Sequence, residues 1–429
     1  MADLSINFAG IKSPNPFWLA SAPPTNSGAQ IQRAFDLGWG GAVWKTLSGV
    51  IINTSARLWS VDYGPARMMG LNNIELTTAR PWDTNIREIK ETKKKYPKHA
   101  LVVSMMIESK KESWQKAVKE MNDTGCDGIE LNFGCPHGMS ERGMGAAVGQ
   151  VPEYTKMITE WVKEVAEVPV LVKLTPNISD IAQVARAAAA GGADGISLIN
   201  TIRSIMGINL DTFSPLPSVD GKGSHGGYCG PAVKPIALNM VSTCARDPEV
   251  GIPISGIGGI ATWQDTVEFM ALGATSVQVC TAVMHYGYRI VEDMIDGLGN
   301  WMDEKGYQKC TDFVGKALPN IKDWGDLNLN YKLVARINAN LCIGCELCHV
   351  AAWDGAHQCI DLETGNGHRV PVINDPECVG CNLCMLVCPV DGCIQMVEVP
   401  TAKKPMSWRQ YQDALGKNPK CEPPGYIEH

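Results

Sequence analysis

Short apolar, β-branched runs alternate with amphipathic stretches along the first three-quarters of the chain. The runs at 17–21, 42–46, 100–107, 127–132, 170–175, 195–200, 253–256 and 276–281 read as strands. Apolar residues recurring at helical spacing predict helices over 82–96, 112–124, 152–165, 178–190 and 264–272. Eight strands with helices between them indicate an α/β (β/α)8 barrel over residues 1–310, a pattern that a doubly wound sheet shares. Glycines favour the barrel: Gly38 to Gly41, Gly125 to Gly128, Gly191 to Gly195 and Gly273 each close a helix ahead of a strand, where the backbone often needs positive φ.

Chemistry in such a barrel gathers at the C-terminal strand ends. Those ends carry Ser21, Lys45, Asn132 with Cys135, Lys173, Asn200 with Thr201, Gly258-Gly259 and Thr281, a polar set directly after apolar strands. The most distinctive stretch is residues 130–145, Glu130-Leu-Asn132-Phe-Gly134-Cys135-Pro136-His137 running on to Gly143-Met-Gly145. It starts as a strand, breaks at Gly134, and presents one thiol at the root of a glycine-rich loop, as expected of a reactive group on a mobile flap. The bland alternative is a buried cysteine before a turn proline.

Gly256-Ile-Gly258-Gly259-Ile-Ala261 formally matches a dinucleotide fingerprint, but the acidic residue expected about twenty positions later is missing. A phosphate cradle formed after barrel strands seven and eight is the better reading. Two insertions, 59–80 and 201–231, follow strands two and six and are expected over the barrel mouth.

The chain has 429 residues, too many for one ordinary core. Its net charge of −7 argues against a nucleic-acid or anionic-membrane surface. No apolar run reaches membrane-spanning length and the N-terminus lacks a signal pattern, so a cytoplasmic protein is expected. Of the sixteen cysteines, six lie between Cys126 and Cys310, nine crowd into 342–393, and Cys421 stands alone. In a reducing compartment this speaks for metal or redox chemistry.

After a linker-like segment, 311–335, Cys342-Ile-Gly-Cys345-Glu-Leu-Cys348 is echoed 36 residues on by Cys378-Val-Gly-Cys381-Asn-Leu-Cys384, which continues to Cys388-Pro389. C-x2-C-x2-C-x3-C-P is the bacterial ferredoxin signature, in which each motif gives three thiolates to one [4Fe–4S] cluster and its fourth to the other. Zinc is the alternative for C-x2-C pairs, but duplication and the terminal proline favour two iron–sulfur clusters in a small α+β domain over 336–400. Ala352 occupies the first motif's fourth position. The cluster on Cys378, Cys381 and Cys384 therefore lacks a thiolate, for which Cys359 is the favoured substitute, a three-iron cluster or a non-cysteine ligand being the alternatives. Residues 401–429 read as an extended C-terminal arm.

Clusters carry single electrons, and a flavin converts these to two-electron chemistry. FMN suits one phosphate cradle without a dinucleotide fold, and NAD(P)H is then oxidised on another polypeptide. Asn132-Phe-Gly-Cys135-Pro-His-Gly-Met-Ser-Glu-Arg-Gly-Met-Gly145, Val172-Lys173-Leu-Thr-Pro-Asn177, Gly191 to Gly195 and Asn200-Thr201 resemble the dihydropyrimidine dehydrogenases, and the cysteine-loop motif is shared with dihydroorotate dehydrogenases. The resemblance spans about residues 4–400. It implies NAD(P)H-linked reduction of uracil or thymine at the 5,6 bond, with Cys135 as general acid. It further implies that Asn73, Asn132, Asn200 and Thr201 read the pyrimidine, that Lys45 and Lys173 lie against the flavin, and that Ala20, Ser21, Gly230, Gly258, Gly259, Cys280 and Thr281 complete the FMN contacts. An FAD- and NAD(P)H-binding flavoprotein subunit is implied as partner in a hetero-oligomer. Gly134 departs from the motif, which often has serine there. Two other readings stand beside this one: a ferredoxin-coupled dihydroorotate dehydrogenase or other flavin ene-reductase, and a non-catalytic electron carrier with a degenerate barrel.

Overall fold

The computed structural model describes residues 2–49, 53–63, 66–136, 143–365, 368–400, 402–417 and 422–425. The chain divides into two compact units, Met1–Leu318 and Pro319–His429.

The first unit is a closed barrel of eight parallel strands. In chain order these are β1 (Phe17–Leu19), β2 (Gly41–Leu47), β3 (Ala100–Met105), β4 (Gly128–Asn132), β5 (Val170–Lys173), β6 (Gly195–Leu198), β7 (Ile254–Ile257) and β8 (Ala274–Val279). Each pairs with its neighbour in sequence, and β8 closes on β1 through Val277 opposite Phe17. All eight expected strands are present and the doubly wound alternative is excluded. Apolar strand residues form the core, with Trp18, Trp44 and Trp114 essentially inaccessible. Gly38, Gly125, Gly192 and Gly273, between helix and strand, all have positive φ, which spares a side chain the left-handed strain.

Helix starts are set by local chemistry. Asp180 accepts a hydrogen bond from the Ala182 amide at the start of Ile181–Ala190, and Thr262 with Asp265 forms a reciprocal capping pair at Trp263–Ala271. The expected eighth strand, drawn to 281, ends at Val279 instead; Thr281 begins a short helix, Thr281–Tyr286. The two insertions meet in one antiparallel sheet, ordered Ile202–Ser204, Gly226–Cys229, Ala66–Asn73, Leu58–Tyr63. Gly227, Tyr228 and Cys229 stand opposite Asn73, Asn72 and Leu71, so residues far apart in sequence are held in fixed register.

The second unit has two antiparallel strand pairs, Leu333–Ile337 with Ile394–Glu398 and Ile360–Gly365 with His368–Ile373. Short helices, Leu347–Gly355 and Leu383–Val387, follow the cysteine loops. Within the expected arm, Trp408–Lys417 is helical rather than extended, its start held by the Ser407 hydroxyl, which accepts from the Gln410 amide. Cys421 lies outside the described residues. Among the described residues no helix is long and apolar enough to cross a membrane.

Candidate active site and cluster cavities

A cavity opens at the C-terminal strand ends of the barrel. Its walls include Ala20 and Ser21 after β1, Lys45 in β2, Asn132 and Cys135 at and beyond the end of β4, Lys173 at the end of β5, Asn200 and Thr201 after β6, Gly258 and Gly259 after β7, and Cys280 and Thr281 after β8. The covering sheet adds Asn73, and Gly230 follows it. Every barrel residue singled out from the sequence therefore faces one space.

Two of the asparagines, Asn132 and Asn200, are hydrogen-bonded to each other. Asn132 donates through Nδ2 to Thr46 Oγ1 at 3.0 Å, while its Oδ1 accepts from Asn200 Nδ2 at 2.9 Å and the Gly134 amide at 3.2 Å. Asn200 Oδ1 accepts from the Thr201 amide at 2.8 Å, and Asn73 Nδ2 donates to the Gly227 carbonyl at 3.2 Å. Such amides offer both donor and acceptor, matching a ring that alternates carbonyl and N–H. Gly134 has a steric role invisible in the sequence: a Cβ there would lie 2.4 Å from Asn200 Cβ.

Cys135 is buried, packed against Met106 and Met144 on one side while lining the cavity on the other. The loop residues 137–142, and with them the expected flap, lie outside the described residues. Lys45 and Lys173 are only 5% and 6% exposed. Two buried ammonium groups at a cavity wall are costly unless an anion or polar ligand meets them. Lys45 is met by Glu75 at 2.8 Å, which also binds Arg57 at 2.8 Å. Glu75 was missed as a site residue from the sequence; its only signal was its place two residues after Asn73.

Burial pushes the Cys229 thiol up and the Cys280 thiol up to about 12, so both are protonated packing groups near neutral pH. Thr281 Oγ1 donates to Cys229 Sγ at 3.2 Å. Gly258 and Gly259 have φ of +133° and +73°, and a Cβ on Gly259 would meet the Gly230 carbonyl at 2.9 Å. Bare backbone at Gly258 and Gly259 and two buried lysines on the same cavity fit a phosphate-bearing flavin.

The second unit holds two thiol-lined cavities. Cys342, Cys345, Cys348, Cys388 and Cys393 line one; Cys359, Cys378, Cys381, Cys384 and Ala352 line the other. Among the described residues no three His, Cys, Asp or Glu side chains converge on a single-ion site. The thiols are spread round cavity walls, a donor set that suits a cluster better than one zinc ion. The two loops repeat one backbone conformation, with Gly344 and Glu346 left-handed in the first and Gly380 and Asn382 in the second. The Asn338 amide donates to the Cys393 carbonyl at 2.8 Å, as Asn374 does to Cys359 at 2.9 Å. Cys359 and Cys393 are thus pseudo-equivalent, and the cavity that lost a thiol at Ala352 is bordered by Cys359.

A family model described as "Dihydroorotate dehydrogenase" matches residues 3–302, and one described as "4Fe-4S dicluster domain" matches 335–396. The NAD-dependent dihydropyrimidine dehydrogenase subunit PreA of Escherichia coli is 43% identical over 403 residues, covering 94% of this chain and 97% of that one. The chloroplastic dihydropyrimidine dehydrogenase (NADP(+)) of Arabidopsis thaliana is 41% identical over 76% of this chain and 79% of its own. The catalytic subunit of dihydroorotate dehydrogenase B (NAD(+)) of Pyrococcus abyssi is 35% identical over 73% of this chain and 99% of its own. With a flavin-type barrel cavity and two cluster cavities in place, the chain belongs to the dihydroorotate dehydrogenase family, carries a 4Fe-4S dicluster domain after its barrel, and aligns along both parts with a dihydropyrimidine dehydrogenase subunit.

Proposed function

We propose that this chain is the catalytic subunit of an NAD(P)H-linked dihydropyrimidine dehydrogenase, reducing uracil or thymine reversibly to the 5,6-dihydro base. The observation that carries the reading is the meeting of Cys135, three asparagines and two buried lysines on one cavity. FMN held in that cavity would supply the hydride needed at C6 of the ring.

The protein's own residues do the rest. Asn73, Asn132, Asn200 and Thr201 orient the base through its carbonyl and N–H edges. Cys135 donates its proton to C5, leaving a thiolate that solvent reprotonates, so one hydride and one proton complete the saturation. Lys45 and Lys173 would offer positive charge to a reduced, anionic flavin held in the cavity. Ala20, Ser21, Gly230, Gly258, Gly259, Cys280 and Thr281 would enclose the cofactor. Cys342, Cys345, Cys348 and Cys388 would hold one cluster; Cys378, Cys381, Cys384 and Cys359 the other.

Electrons enter from an FAD- and NAD(P)H-binding flavoprotein subunit. In support, the glycine-rich turn over residues 257–261 forms part of the cavity wall. The test is anaerobic purification with flavin and iron counts, then turnover of uracil and orotate with an artificial reductant. Uracil turnover by a protein containing FMN and about two clusters is expected; a colourless protein, or one that turns over orotate alone, refutes the proposal.

A further inference from the structure

The two cavities of the second unit differ in their supply of thiols. Among the described residues, five line the first, those of Cys342, Cys345, Cys348, Cys388 and Cys393. Four line the second, those of Cys359, Cys378, Cys381 and Cys384. A [4Fe–4S] cluster takes four thiolates, so the second cavity has just enough and the first has one over. Three thiols in each cavity come from one cysteine loop, and the remainder come from the other half of the unit. They sit at two kinds of position. One is the helix end, where Cys388 follows Leu383–Val387 and Ala352 stands within Leu347–Gly355. The other opens the returning strand, where Cys393 precedes Ile394–Glu398 and Cys359 precedes Ile360–Gly365. The returning-strand position is built alike in both halves. Its backbone carbonyl accepts from Asn338 in one and from Asn374 in the other. Its thiol meets the first cysteine of the facing loop each time: Cys393 is hydrogen-bonded to Cys342, and Cys359 to Cys378. Cys393 is hydrogen-bonded to Cys388 as well, and at 3% exposed it faces the cavity rather than solvent. A position that completes the thiol set of one cavity therefore reaches the same place in the other, where Cys388 already stands.

We infer that the helix-end and returning-strand positions are interchangeable, and that Cys393 is a reserve ligand for the cluster on Cys342, Cys345, Cys348 and Cys388. This rests on reading Cys359 as the fourth ligand of the other cluster. When Cys393 takes the place of Cys388, iron exchanges one thiolate for another and no electron moves. Cys393 gives up its proton to solvent as it binds. The second cluster has no such reserve among the described residues, because Ala352 carries no donor atom. One cluster thus outlasts the loss of its fourth ligand and the other does not.

The test reads iron per chain and electron paramagnetic resonance spectra in full-length protein purified without oxygen. Alanine is the substitute, since it offers iron no atom to bind. Cys388→Ala and Cys393→Ala should each keep the wild-type iron content. The spectrum of one cluster should shift in Cys388→Ala alone, because its fourth thiolate then arrives from a different strand. The double variant should lose at least one iron and show either an oxidised three-iron signal or one cluster fewer. Iron loss in Cys388→Ala equal to that in the double variant overturns the inference, as does a full iron count in the double variant. The converse exchange does not involve Cys388: adding Ala352→Cys to Cys359→Ala should restore the iron that Cys359→Ala loses. If Cys388→Ala does not fold, failure of that restoration overturns the inference instead. A full iron count in Cys359→Ala alone would refute the reading of Cys359 as a ligand, a separate failure.

Discussion

Gly134 is where one added carbon has a calculable consequence. A Cβ built there lies 2.4 Å from Asn200 Cβ, 2.6 Å from Asn200 Nδ2 and 2.8 Å from Asn200 Cγ. Carbon atoms in contact sit about 3.5–4.0 Å apart, so Gly134→Ala or Gly134→Ser must drive Asn200 back by roughly 1 Å. The closest atom is the Asn200 Cβ, which cannot swing away without its backbone, and the Asn200 amide is tied to the Leu174 carbonyl. The retreat breaks or stretches the Asn200–Asn132 bond of 2.9 Å and the Thr201–Asn200 bond of 2.8 Å. At about 0.5–1.5 kcal/mol each, losing both costs about 1–3 kcal/mol, or about 5- to 150-fold. We expect kcat/KM for uracil to fall by that factor with flavin and iron contents unchanged, and the melting temperature to drop. Asn200→Gly removes the obstructing atom, so adding Gly134→Ala to it should cost little further stability. Wild-type kcat/KM and melting temperature in Gly134→Ala would refute the reasoning, as would an equal alanine penalty in both backgrounds.

Cys135→Ala should bind FMN normally yet lose most uracil reduction, with Cys135→Ser retaining a little; wild-type turnover in the alanine variant would remove Cys135 from the mechanism. Cys359→Ser should cost one cluster, or convert it to a three-iron form visible by electron paramagnetic resonance, whereas Cys393→Ser should keep the full iron count. Equal iron loss in both would end the assignment of Cys359 as the substitute ligand. Burial pushes Cys244, Cys280 and Cys310 each up to about 12 from an ordinary 9.0. The folded protein keeps these protons while the unfolded chain sheds them above pH 9, so stability is full below pH 9 and lost as pH climbs toward 12. Denaturant midpoints should fall over that window, less steeply in Cys244→Ala; midpoints that stay level would contradict this.

Much of this molecule was legible without coordinates because the information is local. The (β/α)8 barrel shows in the alternation of apolar runs and amphipathic helices, since burial acts on contiguous residues with a period of their own. Strand-end chemistry followed, as a parallel barrel sends every C-terminal strand end to one rim. The duplicated cysteine loops were equally plain, because ligand spacing is a property of a few adjacent residues.

What stayed hidden lies between distant positions. That Gly134 makes room for Asn200, that Glu75 meets Lys45, and that Glu130 and Ser197 meet Gln278 each depend on barrel closure, which brings together side chains from separate strands. The equivalence of Cys359 and Cys393, each followed by isoleucine, was legible in the sequence; the structure adds the matching backbone bonds from Asn374 and Asn338. The chain by itself determined which elements form and which chemistry they carry. Only the tertiary structure decided which atoms of that chemistry face one another, because contact and hydrogen-bond direction are set by packing across the fold, not by order along it.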